Sequence, residues 1–509
     1  MFSTHDLSLL AVLLLISMHT IQAAEQPVFK AGFAEREIAP EIGMEQPGGY
    51  TKAFHQKQHD PCKVRAVVFD DGQLKIAIVG IDALIIYRPT VEAARKAISK
   101  KCGIAPQAVL IAASHTHSGG PTGMILPGEF DDASDLVKSL AEKSSCADAK
   151  YLARVQQAIV DAVVDAHEHR VDARAAAGFG LARDVAFNRR FRMKSGISNT
   201  HPGQGNPDIV EPAGPTDPQV GVLAVWDAQG KLLGCIVNFA CHATTGPGGA
   251  SADYIHYIEK TIRGFMGEKA NVVFFPGAGA DVTQVDNRSP YQIRQFGESS
   301  SELLGGTVGA EALKVLLSTR SSAAALLPLA VQNRSLQIKR RVPSPEHLAK
   351  AIQLAQAGPP KDGNNTEWIF AKETVLLDAM LKKEPIANVE LQAIQIGPAV
   401  FLACPAEYFC QFGLDLKAGS KFPFTFPVSL ANDCVGYVPT EDAFGPHGGG
   451  YETRLTSYSN LEPRAGRVIA DALLELSSHL KPGPVPRPPA VPSFKGQPWT
   501  YGNRPAEVD

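Results

Sequence analysis

The sequence predicts an α/β protein in which mixed β-sheets are flanked by helices in one large domain. Two observations carry that prediction. Strand-type and helix-type hydrophobic patterns alternate along most of the 509 residues. The composition, 44% hydrophobic and 20% charged, is that of an ordinary globular chain with enough length for a sizeable core.

The first segment is set apart from the rest. Leu7 to Met18 is mostly apolar but too short to span a bilayer. Small residues follow at Ala23-Ala24, so residues 1–24 read as a signal peptide removed on export to the periplasm or the extracellular space. Met1 to Asp6 carries no Lys or Arg, and a short buried helix is the alternative. Lys63–Phe69 and Leu74–Ile81 are β-branched runs around Asp70-Asp71-Gly72, a hairpin signal. Thr90–Lys101 has a helical pattern ending near Gly103. Ala108–Ala113 is a short apolar strand leading into Ser114-His115-Thr116-His117-Ser118-Gly119-Gly120. Tyr151–His167 reads as a helix. Val220–Trp226 and Leu233–Phe239 form a second strand pair around Asp227 to Gly230.

Further on, Tyr254–Met266 is helical and Asn271–Phe275 is a strand running into Pro276-Gly277-Ala278-Gly279. Helices from about Ser344 to Leu381, broken at Gly358-Pro359-Pro360, read as an insertion. Val389–Ile396 and Ala399–Cys404 pair around Gly397-Pro398, and Pro463–Leu480 is an amphipathic helix. Pro482 to Pro492 is proline-dense and reads as an extended tail or wrapping arm. The expected organisation is therefore 1–24 signal peptide, 25–481 a single domain and 482–509 the tail. No internal repeat is evident.

Lys and Arg total 49 against 52 Asp and Glu, a net charge of −3. No basic excess exists to neutralise a phosphate backbone, which argues against nucleic acid as a partner. Eight cysteines are too few for a disulfide scaffold, and none forms a CxxC pair. Buried thiols and bridges both remain open.

Chemistry-bearing residues recur just after apolar strands, where open sheets place their sites. His115 and His117 would share one face if their strand persisted. His242 follows Asn238-Phe239-Ala240-Cys241. A Cys241–His242 nucleophile pair is disfavoured, because adjacent strand residues face opposite ways. Gly277 and Gly279 would let backbone N–H groups approach a substrate oxygen closely. Pro405-Ala406-Glu407 places a carboxylate after a strand. Tyr437 and Tyr451 lie in the polar stretch beyond it. Taken singly, Glu407 reads as a solvated or capping carboxylate and the tyrosines as core.

Together these residues resemble the catalytic domain of the neutral, non-lysosomal ceramidases and their bacterial relatives, from about Phe29 to Leu480. His115-Thr116-His117-Ser118-Gly119 is similar to that family's HTHSGP signature, with His59-Asp60-Pro61 ahead of it. Asn238 to His242, then Ser251-Ala252-Asp253-Tyr254, resembles its second histidine segment. Asn188-Arg189 resembles its substrate-contacting arginine, with a surface arginine as the alternative. The resemblance implies one Zn2+ held by His115, His242, Glu407 and Tyr437. It further implies His117 beside the ligands or as a proton carrier, Arg189 and Tyr451 at the amide and its developing oxyanion, and Thr283 where the family has a reactive serine.

The sequence departs from the family at three places. Gly120 delays the usual proline to Pro121, threonine replaces serine at Thr283, and the chain ends soon after Leu480, short of the family's C-terminal immunoglobulin-like domain. The implied function is an exported zinc amidohydrolase that cleaves the N-acyl bond of ceramide-like lipids, with peripheral contact to a membrane surface. Its rivals are a zinc hydrolase of another amide or ester, and an exported binding protein with structural zinc. The oligomeric state is not legible.

Overall fold

The short β-branched runs pair as their turn signals require, and the result is a thrice-used topology. The computed structural model describes residues 28–292, 295–361 and 363–508. The signal-peptide reading of residues 1–24 lies outside the described residues.

Strand Lys30–Glu37 pairs antiparallel with Lys63–Asp70, and that strand with Lys75–Ile81. Lys75–Ile81 then pairs parallel with Val109–Ala113. A parallel pair needs a long crossover, supplied here by helix Arg88–Cys102. Helix Ala149–Glu168 then packs back on the first two strands. The same series follows in Val171–Leu181, Gln219–Asp227, Leu232–Phe239, crossover helix Tyr254–Met266, strand Asn271–Pro276 and helix Glu298–Thr319. It occurs a third time in Leu329–Lys339, Ile386–Ile396, Ala399–Ala403, crossover helix Cys410–Gly419, strand Phe424–Val428 and helix Ala465–Ser478. The sequence reading found no repeat. The structure corrects it, because what recurs is strand order and sense rather than residue pattern.

The first two units join into one eight-stranded sheet only through Lys30–Asp172 and Ala31–Val171. The sheet then folds over, so that a Cβ at Gly80 would lie 2.7 Å from the Phe274 carbonyl oxygen. Val79 and Ile111, Ile236 and Phe275, Phe401 and Phe426 belong to one buried core shared by all three units. The expected helical insertion is present as Pro345–Ala357 and Thr366–Lys383, between the first two strands of the third unit. Ser344 caps the first of these by accepting the N–H of His347. Residues 482–508 contain no helix or strand, and all eight cysteines are free thiols.

A candidate metal centre between the three units

The polar residues collect where the third and fourth strands of each unit end. Strand Val109–Ala113 stops at Ala113, and His115 takes φ +66° with its N–H on the Ala83 carbonyl. The expectation of a continuing strand that aligns His115 and His117 by alternation is therefore corrected. The left-handed turn brings the rings together instead, with centroids 4.9 Å apart. A parallel bridge between Thr116 and Ala243 sets the two histidine loops side by side, and the His117 N–H donates to the Ala243 carbonyl at 3.1 Å. The His115 and His242 rings then lie 4.7 Å apart.

Two imidazoles are fixed in orientation by backbone carbonyls. His115 Nδ1 donates to Leu84 at 2.9 Å and His242 Nδ1 to Gly279 at 2.9 Å. A carbonyl only accepts, so each Nδ1 carries the proton and each Nε2 presents a lone pair. Glu407 comes from strand Glu407–Tyr408, which pairs parallel with Tyr437–Val438. Its Oε2 lies 3.1 Å from both Nε2 atoms. The Nε2 atoms of His115, His117 and His242 and Oε2 of Glu407 are buried without a hydrogen-bond partner. Burial and the nearby Arg189 lower His242 to about 4. Burial and the other two histidines put His117 well below its ordinary value.

Lone pairs that face one another at 3.1 Å repel unless a cation sits among them. Tetrahedral zinc with bonds of about 2.0–2.1 Å separates its ligands by about 3.3 Å. A cavity of about 20 Å³ lined by His115, His242, Glu407 and Gly279 has room for one ion-sized guest. The ligand atoms of His115, His117 and His242 all lie within 4.8 Å of one another. This chain's residues therefore fit a metal ion. The structure sets His117 among them as well, where the resemblance implied a place beside the ligands.

Tyr437 lies beside Glu407 in the strand pair. Its hydroxyl accepts from Arg189 Nη2 at 3.2 Å and is 3.4 Å from that of Tyr451. Arg189 is buried, not a surface residue, and its Nε donates to Glu452 at 2.9 Å. Its guanidinium lies over the Tyr451 ring at 5.1 Å. Burial pushes Tyr451 up to about 12, so both phenols are protonated donors near neutral pH. Thr283 is buried in strand Val282–Thr283, and its Oγ1 accepts the Val285 N–H at 3.3 Å. Among the described residues no hydrogen bond joins it to the imidazoles.

The glycines after Asn271–Pro276 also serve packing. A Cβ at Gly279 would lie 2.8 Å from the Cys241 nitrogen, so they let this loop pack directly against the segment after strand Leu232–Phe239 that carries His242. Gly120, the extra glycine, lies under Tyr151, whose ring a Cβ would meet at 2.1 Å. Asp60 of the His59-Asp60 segment accepts from the Ser251 hydroxyl and, at 2.8 Å, from the Ala252 N–H, tying loops together rather than ligating. Two supporting carboxylates escaped the sequence reading. Glu452 anchors Arg189, and Asp281 joins Asn188 at 2.8 Å to the Cys410 N–H at 2.8 Å. Their adjacency to Tyr451 and to the 277–283 segment was the only available signal.

Fold and site together define a triplicated α/β frame that closes on a buried centre of three histidines and a carboxylate. No family profile matches the chain. The neutral ceramidase of Pseudomonas aeruginosa is 27% identical over 339 residues, 59% of this chain and 46% of that protein. This chain thus matches about half the length of that curated relative. The crystal structure of neutral ceramidase from P. aeruginosa superimposes with a TM-score of 0.65 at 19% identity, covering 91% of this chain and 77% of that one. A ceramidase complexed with C2 gives 0.63 at 17% identity, covering 92% and 78%. The chain is thus similar in sequence to a neutral ceramidase and shares the fold of the neutral ceramidase structures.

Proposed function

We propose that the protein is a zinc-dependent amidohydrolase of ceramidase type, hydrolysing the N-acyl bond of ceramide-like lipids to a fatty acid and a sphingoid base. The observation that carries this reading is the set of four buried, unpartnered ligand atoms converging from three separate units. His115, His242 and Glu407 would hold the ion, with His117 or Tyr437 completing the set. When bound, zinc supplies Lewis acidity and a nucleophilic water near neutral pH.

The chain's own groups supply the rest. Arg189, buried, and Tyr451, half-buried, stand beside Tyr437 as donors, placed to bind an amide oxygen and its developing negative charge. Carbonyl bonds at Nδ1 keep His115 and His242 from turning, so their lone pairs stay aimed inward. Where Tyr437 completes the set, His117, neutral and half-buried, is free to take a proton from the attacking water and return it to the leaving amine. The apolar N-terminal segment supports export, and a lipid substrate supports contact with a membrane surface.

The test is hydrolysis of a labelled N-acylsphingosine by purified protein, with and without chelator. Hydrolysis lost with the ion and regained with zinc is expected, and full activity in metal-free protein would refute the reading. Activity confined to other amides or esters in a substrate panel would move the substrate class. Bound zinc with no hydrolysis of any amide would favour a binding protein.

A further inference from the structure

The segment Glu45–His55, outside every motif described so far, runs across His117. Gln46 Nε2 donates to the His117 carbonyl at 3.1 Å, and His55 Nε2 bonds the Gly119 carbonyl at 2.8 Å. A Cβ at Gly48, where φ is +116°, would lie 2.3 Å from His117 Nδ1. The loop backbone therefore rests directly on that imidazole, and no larger residue fits there. Two residues on, the Tyr50 ring lies 6.0 Å from Phe370 of the inserted helix Thr366–Lys383. Lys372 Nζ on the same helix donates to the Tyr50 carbonyl at 2.9 Å. Lys372 is fully buried and also bonds Glu373 and the Ser144 hydroxyl.

What this clamp presents is a hydroxyl without a partner. Tyr50 Oη is buried and unbonded. Thr456 is the polar side chain within hydrogen-bonding reach of it, and since its Oγ1 already accepts from the N–H groups of Tyr458 and Ser459, Thr456 has only its own hydroxyl proton to offer, which leaves the Tyr50 proton without an acceptor. Burial, with Glu373, Tyr451 and Glu407 in electrostatic reach, raises the phenol well above its ordinary value, so it remains a donor. A buried hydroxyl left unpaired by the protein calls for an explanation, and an arriving ligand provides one.

We propose that Tyr50 is a further substrate-contacting residue, its hydroxyl donating to an oxygen of the N-acyl amine bound at the imidazole centre, and that Lys372 is the positioning residue that holds it there. This rests on the function proposed above. It gives the inserted helices a purpose the zinc site alone does not require.

The experiment uses the full zinc-loaded chain and two probes. One is an N-alkylsulfonyl sphingosine, whose sulfonamide is not hydrolysed; the other is the same compound without the amine-side hydroxyls. Tyr50→Phe should bind the first about tenfold more weakly, with zinc content and thermal midpoint unchanged. A loss seen with both probes assigns the acceptor to the oxygen next to nitrogen, and a loss seen with the first alone assigns it to a hydroxyl. Lys372→Met should raise KM for the amide while zinc is retained. Tyr50→Phe that binds like wild type, or that loses zinc along with affinity, overturns the proposal. Wild-type protein that neither binds the sulfonamide nor hydrolyses the amide overturns the proposed function, and this assignment with it.

Discussion

At the scale of single residues, the site depends on groups that are costly to bury alone. His242→Ala removes one lone pair and Glu407→Gln the carboxylate whose oxygen faces two imidazoles at 3.1 Å. Both should lose zinc by elemental analysis and lose activity by more than the roughly 10–100-fold typical of outer contacts. Full zinc occupancy in both variants would refute the ligand assignment. Thr283 accepts the Val285 N–H, an arrangement that leaves its own proton free to be donated. Thr283→Ala should therefore lower kcat by about 10²–10³ with zinc retained, and Thr283→Ser should be tolerated. A normal kcat in Thr283→Ala would make it a turn residue. The histidines His115, His117 and His242 were legible because each follows an apolar strand in a motif, whereas Glu407, taken singly a capping carboxylate, became a ligand candidate only through the resemblance. Glu452, Asp281 and Tyr50 were not, since only three-dimensional contact distinguishes them from any acidic or aromatic loop residue.

At the scale of elements, the crossover helix Tyr254–Met266 of the second unit is bonded to strand Lys63–Asp70 of the first unit through charge. Glu259 is buried, with Lys63 at 2.7 Å and Arg65 Nε at 3.1 Å, and Arg263 also pairs with it. Burial opposes its ionisation, but Arg65 and Lys63 prevail and hold the carboxyl at about 2. An unfolded Glu titrates near 4.3, so this stabilisation is complete above about pH 4.3 and is lost as pH falls towards 2. Glu259→Gln should cost about 3–5 kcal/mol in denaturant unfolding at pH 7 and flatten the acid limb between those values. An unchanged acid limb would contradict the assignment. Elements of β-branched residues were legible from sequence. Strand Val171–Leu181 was not, because VDARAAAGFGL is rich in residues of low β-propensity. Helix Glu298–Thr319 was hidden by Gly305, Gly306 and Gly309. Gly305 and Gly309 are required, since a Cβ there would meet Tyr254 and Thr261.

At the scale of the whole molecule, the three units explain why the site is where it is. His115 and His117 follow the fourth strand of the first unit, His242 the third strand of the second, and Glu407 the third strand of the third. Each unit thus contributes from the ends of its parallel pair, and the ion would cross-link all three. Binding to the folded state alone stabilises it by mass action, so chelation should lower the thermal midpoint and zinc should restore it. A midpoint indifferent to chelator would mean that no ion joins the units. The triplication escaped sequence analysis because topology recurs without residue identity, whereas the overall α/β class was plain from alternation. The most direct test of the central claim is the zinc content of purified wild-type protein, measured together with its turnover of labelled N-acylsphingosine before and after chelation. The expected result is one zinc per chain, with turnover lost on removal and recovered on re-addition. Protein that hydrolyses the amide without bound metal, or that binds none, would contradict it.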